Sequence, residues 1–248
     1  MSDHAGRLLF SFTATESAST GQPWADQVWR PRDAPVDEVC ETAVAAFPGW
    51  RLSTADRALL AALKVSGATE RRHAHTLTHP LVELPELRRP DGVRVERLSL
   101  ATLDDQAGML GAMNVAAYPA DHPDASPGDA AAAAEQLHAI GRGELLGPFM
   151  DVSRVAWVQG AVVGACLVVE RSGRPPNAGP WVIDLFRDPA APSGVGAALL
   201  TAALDAAAGH ELAALSLAVS HDNTRARTLY ERLGFCDALE NWTVDLPA

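Results

Sequence analysis

Cysteine is scarce in this 248-residue chain: the three copies, Cys40, Cys166 and Cys236, form no CxxC pair. An odd, scattered set builds neither a disulfide framework nor a cysteine zinc site, and free thiols in a reducing compartment fit it better. Long apolar runs are missing too. The longest, Ala161–Val169, is about half of what a bilayer crossing needs. The N-terminus lacks the basic start and apolar stretch of a signal peptide. The expectation is a soluble, cytoplasmic protein with no membrane partner. Lysine is reduced to Lys64, and 20 basic residues face 31 acidic ones, a formal charge of −11. Such a field repels phosphate backbones, so no nucleic-acid partner is expected, and it weakly suits cationic small molecules. What remains is ordinary: 48% hydrophobic and 21% charged residues exclude fibrous and wholly disordered classes. The length allows one large domain or two small ones.

Periodicity places the first amphipathic helix at Asp37–Phe47, stopped by Pro48-Gly49, and a second at about 55–66, ended by Gly67. A strand follows at 70–78. Pro80, Pro85, Pro90 and Asp91-Gly92 mark a linker, which sets the expected domains at 1–92 and 93–248. Beyond it come a strand at 93–98, helices at 102–117 and 129–140, a hairpin turning at Gln159-Gly160, and a strand at 181–186. A helix at 194–208, a strand at 212–219, a helix at 224–233 and one or two final strands complete a mixed α/β domain around one central sheet.

Two constellations carry chemistry. Ser193-Gly194-Val195-Gly196-Ala197 joins a strand to an alanine-rich helix. Two glycines crowd backbone N–H groups at a helix N-terminus, an anion cradle, although a tight turn with close packing would look the same. A dinucleotide fingerprint would need a small residue where Leu199 stands, and a P-loop would need Gly-Lys-Ser/Thr; both fail. The second constellation is Asn223-x-x-Ala226-x-x-Leu229-Tyr230-Glu231-x-Leu233-Gly234-Phe235. Residue by residue it reads as a helix cap, a core aromatic and a terminal glycine.

Together, the glycine turn and this run resemble the GNAT superfamily of acyl-CoA-dependent N-acetyltransferases, over about residues 93–248. The resemblance implies a mixed central sheet flanked by helices, with the N-terminal residues a small α/β extension. It implies acetyl-CoA as co-substrate and a small-molecule or peptide amine as acceptor, with direct attack in a ternary complex. Ser193, Gly194, Val195, Gly196 and Ala197 would hold the pyrophosphate. Leu185 and Phe186 would pair with the pantetheine arm where two strands splay, a backbone N–H near Phe186 polarising the thioester carbonyl. Asn223 would touch the pantetheine or order the helix start, and Tyr230 would protonate the departing thiolate. A homodimer stays open. The catalytically silent alternative is an acyl-CoA-binding sensor or scaffold.

The chain departs from that pattern at Ala191, Pro192 and Ser193, where a glutamine or arginine, an N–H and a basic residue are usual; Arg187 is near enough in sequence to compensate. Asp184 is the nearest candidate base; His221, at a strand C-terminus beside the proposed site, could relay a proton, and Tyr118, Asp121 and His122 lie in the loop where the family receives its acceptor. Cys166 and Cys236 have no recognisable histidine partner, so a covalent enzyme intermediate lacks support. His73 and His75 share a strand face, but His79 is poorly spaced for a third ligand, and no metal is expected. Finally, a shift of 167 residues aligns Asp56 with Asn223, Leu63 with Tyr230 and Gly67 with Gly234. This reads either as a degenerate partial unit within residues 35–80, with leucine at the general-acid position, or as chance similarity, since the identities are few.

Overall fold

The computed structural model describes all residues except 3–5, 17–20, 87, 120–121, 123 and 126–127. Its described residues form a mixed α/β fold in two compact units, residues 1–75 with 239–248, and residues 76–238.

The first unit contains β1 (Ser11–Glu16), β2 (Pro23–Trp29), α1 (Val36–Ala46), β3 (Arg51–Thr54), α2 (Arg57–Val65) and the start of β4 (Thr69–His79). Asp56 caps α2 by accepting from the N–H groups of Ala58 and Leu59, and the helix buries Leu59 and Leu63. Phe10, Phe47 and Leu52 join them in the unit's core.

The second unit takes the end of β4, then β5 (Val93–Arg97), α3 (Leu100–Ala117), α4 (Ala130–Gly141), β6 (Arg154–Val158), β7 (Ala161–Arg171), β8 (Gly179–Arg187), α5 (Val195–Gly209), β9 (Leu215–Ser220), α6 (Thr224–Arg232) and the first residues of β10 (Cys236–Asp245). Its strands lie in the order β4-β9-β8-β7-β6-β5. β7 is buried on both faces. Cys166 and Val168 face α5, while Ala165, Leu167 and Val169 face α3 and α4. Helices α3 and α4 cross closely: a Cβ on Gly111 would lie 2.7 Å from backbone atoms of Ala130 and Ala134.

The helices and strands from residue 36 onward stand near their expected positions. β1 and β2 are not legible in the sequence. Gln27, at φ +54°, interrupts β2, its register against β3 shifts between Ala25 and Val28, and the alternation that marks a strand is lost.

The expected division at residue 92 is a linear cut, and the compact units are not linear. In the first unit β3 pairs with β10 through Thr54–Trp242 to Arg51–Asp245, so the chain's last strand belongs there. In the second unit the neighbour of β9 is β4, made early in the chain. Thr76, Leu77 and His79 are buried there, and Thr76 donates to Asn177 at 2.7 Å. α2 starts at residue 57 and α6 at 224, 167 positions later, each between a capping side chain and a glycine with positive φ.

Candidate active site

The site begins with a strand that departs from its neighbour. β8 and β9 are parallel and pair only through Trp181–Ser216 and Val182–Leu217, after which both continue without further pairing. Just past the last pair, the register of β8 against β7 slips between Val182 and Asp184, leaving Ile183 as a bulge. A bulge re-aims the side chains that follow it. Ile183 packs into the cluster beneath α3, and the Asp184 carboxylate also meets α3.

Asn114 Nδ2 donates to Asp184 Oδ2 at 2.6 Å, and Tyr118 OH lies 3.2 Å from Oδ1. Burial pushes the carboxyl up to about 6, against the opposing effects of the Tyr118, Asn114 and Leu185 N–H hydrogen bonds. The sequence offered Tyr118 only as a loop residue on the acceptor side. It is the C-terminal cap of α3, and its hydroxyl donates to the Leu185 carbonyl at 2.8 Å.

The chain has two tyrosines, and the other is Tyr230 on α6. Its ring packs against Phe235 at 5.9 Å between centroids, and its hydroxyl has no hydrogen-bond partner among the described residues. Burial first, and then the negative charge of Asp124 and Asp184, hold it well above an ordinary phenol. It therefore carries its proton at neutral pH. Asp184 and Tyr230 thus form a pair with opposite protonation, a carboxylate able to accept and a phenol able to donate.

Strand parity decides which backbone groups face the splay. Asp188 donates its N–H to Val163 of the preceding strand, so Phe186, two residues earlier, also directs its backbone toward β7. The N–H and C=O of Leu185 face the open side, where Asp184 and Tyr118 meet them. Among the expected pair, Leu185 and not Phe186 presents backbone to the splay; Phe186 is core.

Between Asp188 and Ala191 the loop is held by Arg187, whose Nη1 donates to the carbonyls of Asp188, Pro189 and Ala191. This guanidinium shapes the loop. Ser193 and Gly194 are exposed, Val195 is core, and α5 starts at Gly194, with φ +93° and no side-chain cap. The first-turn N–H groups, those of Gly196 and Ala197 among them, lack intrahelical acceptors, and a Cβ on Gly196 would meet nothing within 4 Å. An uncapped N-terminus with open space over its glycine fits a diphosphate.

Asn223 is a helix cap, its Oδ1 accepting from Ala226 N–H at 3.1 Å, while its Nδ2 donates to Asp124 at 2.8 Å. Asp124 also accepts from the N–H and hydroxyl of Ser220, and so ties the α3–α4 loop to the end of β9. Nothing local in the sequence distinguishes Asp124 from the neighbouring acids. Asp121 lies outside the described residues, His122 packs edge-on against Tyr118 at 5.0 Å, and His221 is exposed. Cys166 is fully buried and pushed up to about 12 by that burial, a poor nucleophile. His79 accepts from Leu81 N–H through Nδ1 and bonds the Leu233 backbone, so both ring nitrogens are committed within the fold. His73 bonds Glu240 at 2.8 Å and stacks on Trp242.

A parallel pair that splays beyond Val182 and Leu217, followed by a glycine turn into a helix, frames this site. Residues 115–235 match the model of the acetyltransferase (GNAT) family. In structure it is similar to a GCN5-related N-acetyltransferase from Sphaerobacter thermophilus, at 14% identity and a TM-score of 0.66, covering 100% of this chain and 80% of that one. It is also similar to a GCN5-related N-acetyltransferase from Kribbella flavida (16%, 0.59, 96% and 90%). A tandem GNAT protein from the clavulanic acid biosynthesis pathway is a third (18%, 0.58, 99% and 82%). No curated protein matches the sequence. Among the described residues no helix is long and apolar enough to cross a membrane.

Proposed function

We propose that the protein transfers the acetyl group of acetyl-CoA to a primary amine of a small molecule or peptide, by direct attack in a ternary complex. The observation that carries this reading is the splay of β8 from β9 with Asp184 at its mouth and Tyr230 coupled to it electrostatically. Asp184 takes a proton from the incoming ammonium, which frees the lone pair that forms the new C–N bond. As the C–S bond breaks, Tyr230 gives its proton to the thiolate sulfur, and the second proton of the new C–N nitrogen passes through solvent to restore the phenol. The first turn of α5 holds the diphosphate through Gly196 and Ala197 N–H groups. The net charge of −11 suits a cationic acceptor and disfavours nucleic acid. Three unpaired cysteines suit a reducing cytoplasm.

A silent acyl-CoA binder is the second reading. It is favoured by a cradle whose flanking positions are Ala191, Pro192 and Ser193, with Arg187 occupied by loop carbonyls. A thiol-release screen with acetyl-CoA across amine classes, run beside thermal shifts with acetyl-CoA, separates the two. Release with some amine supports the transferase. A thermal shift with no release supports the binder, and neither signal removes both.

A further inference from the structure

Tyr118 carries one hydroxyl hydrogen and faces two acceptors, Leu185 O at 2.8 Å and Asp184 Oδ1 at 3.2 Å. Leu185 O lies on the free edge of β8, where an extended amide ligand added as a further strand would place its own N–H. The ligand's amide and the phenol then share one carbonyl, and the second donor weakens the bond made by the first. Resting on the acetyl-CoA reading above, we propose that Tyr118 couples cofactor binding to the charge of the base. When the pantetheine amide donates to Leu185 O, the phenolic hydrogen shifts toward Asp184 and favours its ionised form. Tyr118 is in this sense a positioning residue, which acts through Asp184.

The surroundings of Asp184 permit this transfer. From α3 it meets Asn114, a neutral donor already bonded to the other carboxylate oxygen, and Tyr118. Asp124 from the α3–α4 loop raises its proton affinity. Tyr230 from α6 and Cys166 from β7 are both neutral, because burial holds each proton in place. His122 packs edge-on against the Tyr118 ring. Among the described residues, the only other donor to Asp184 is the N–H of Leu185. Tyr118 is therefore the one hydroxyl among these groups whose hydrogen ligand binding redirects.

Linkage fixes the sign. A ligand that favours ionised Asp184 releases a proton on binding, so its affinity rises with pH through the titration of that carboxyl. The experiment measures the acetyl-CoA dissociation constant at pH 5 and pH 8 for the wild type, Tyr118→Phe and Asp184→Asn, with thermal melts confirming that each is folded. The ligand's own phosphates titrate equally in all three, so the quantity of interest is the ratio of the two constants. A redirected hydrogen bond predicts a wild-type ratio about three- to tenfold larger than in either variant. Equal ratios in all three proteins, or a smaller one in the wild type, overturn the coupling and leave the acetyl-CoA reading standing. A folded wild type that binds no acetyl-CoA at either pH overturns both.

Discussion

Gly234 ends α6 against the ring of His79: a Cβ built on it would lie 2.8 Å from Nε2, and the residue sits at φ +90°. The turn that closes the tyrosine-bearing helix is thus fitted to a buried histidine on β4, and His79 is held from its other side by Leu81 N–H. Gly234→Ala should destabilise the protein by about 2 kcal/mol, the left-handed backbone alone costing roughly 1–2. Denaturant midpoints check this, and an unchanged midpoint would show that the ring steps aside freely.

Tyr230→Phe separates chemistry from packing. The ring and its contact with Phe235 remain, and the hydroxyl has no protein partner to lose among the described residues. Stability should therefore stay within about 0.5 kcal/mol, below the ordinary worth of a hydrogen bond. The rate constant kcat should fall at least roughly tenfold, with acetyl-CoA binding little changed. Steady-state kinetics beside a thermal melt read both quantities.

Asp184 makes stability and activity depend oppositely on pH. Its folded carboxyl titrates at about 6, above the ordinary carboxylate value. The folded state thus holds this proton more tightly than the unfolded chain. The stabilisation is complete below about pH 4 and is lost as pH rises through about 6. The base needs the other form, so kcat/KM should fall on the acid side of about pH 6. Asp184→Asn should melt higher than the wild type at pH 8 and lose most of its activity. A lower melting temperature would contradict the burial argument.

The two glycines of the cradle should respond differently to substitution. Gly194 has φ +93°, and a Cβ there would press Pro90 Cγ at 3.3 Å, so Gly194→Val strains the fold itself. Gly196 has open space and no such backbone demand. Gly196→Val should therefore keep the melting temperature of the protein alone and abolish its rise with acetyl-CoA. A persisting rise would take the diphosphate away from this turn.

The parts of the site that the sequence revealed are those with local signatures. The Asn223 cap, the Gly234 stop and the Gly194–Gly196 turn each act within one helical end, and Tyr230 falls at a fixed spacing between two of them. What stayed hidden joins distant residues. Tyr118 meets Leu185 across 67 positions, and Asp124 meets Ser220 across 96, with no pattern in either segment that names the other. The Ile183 bulge depends on how β8 registers against β7, which composition does not encode. That β4 and β10 each run from one unit into the other is hidden for the same reason.

The place of β10 also sets a timetable. Residues 1–75 leave the ribosome before residues 76–238, yet the edge of β3 awaits a strand made after both. The whole of residues 76–238 is translated in between, roughly 8–33 s at ordinary elongation rates. For that interval the nascent protein carries an unpaired strand edge, the kind of surface that holdase chaperones cover and that neighbouring chains on a polysome capture.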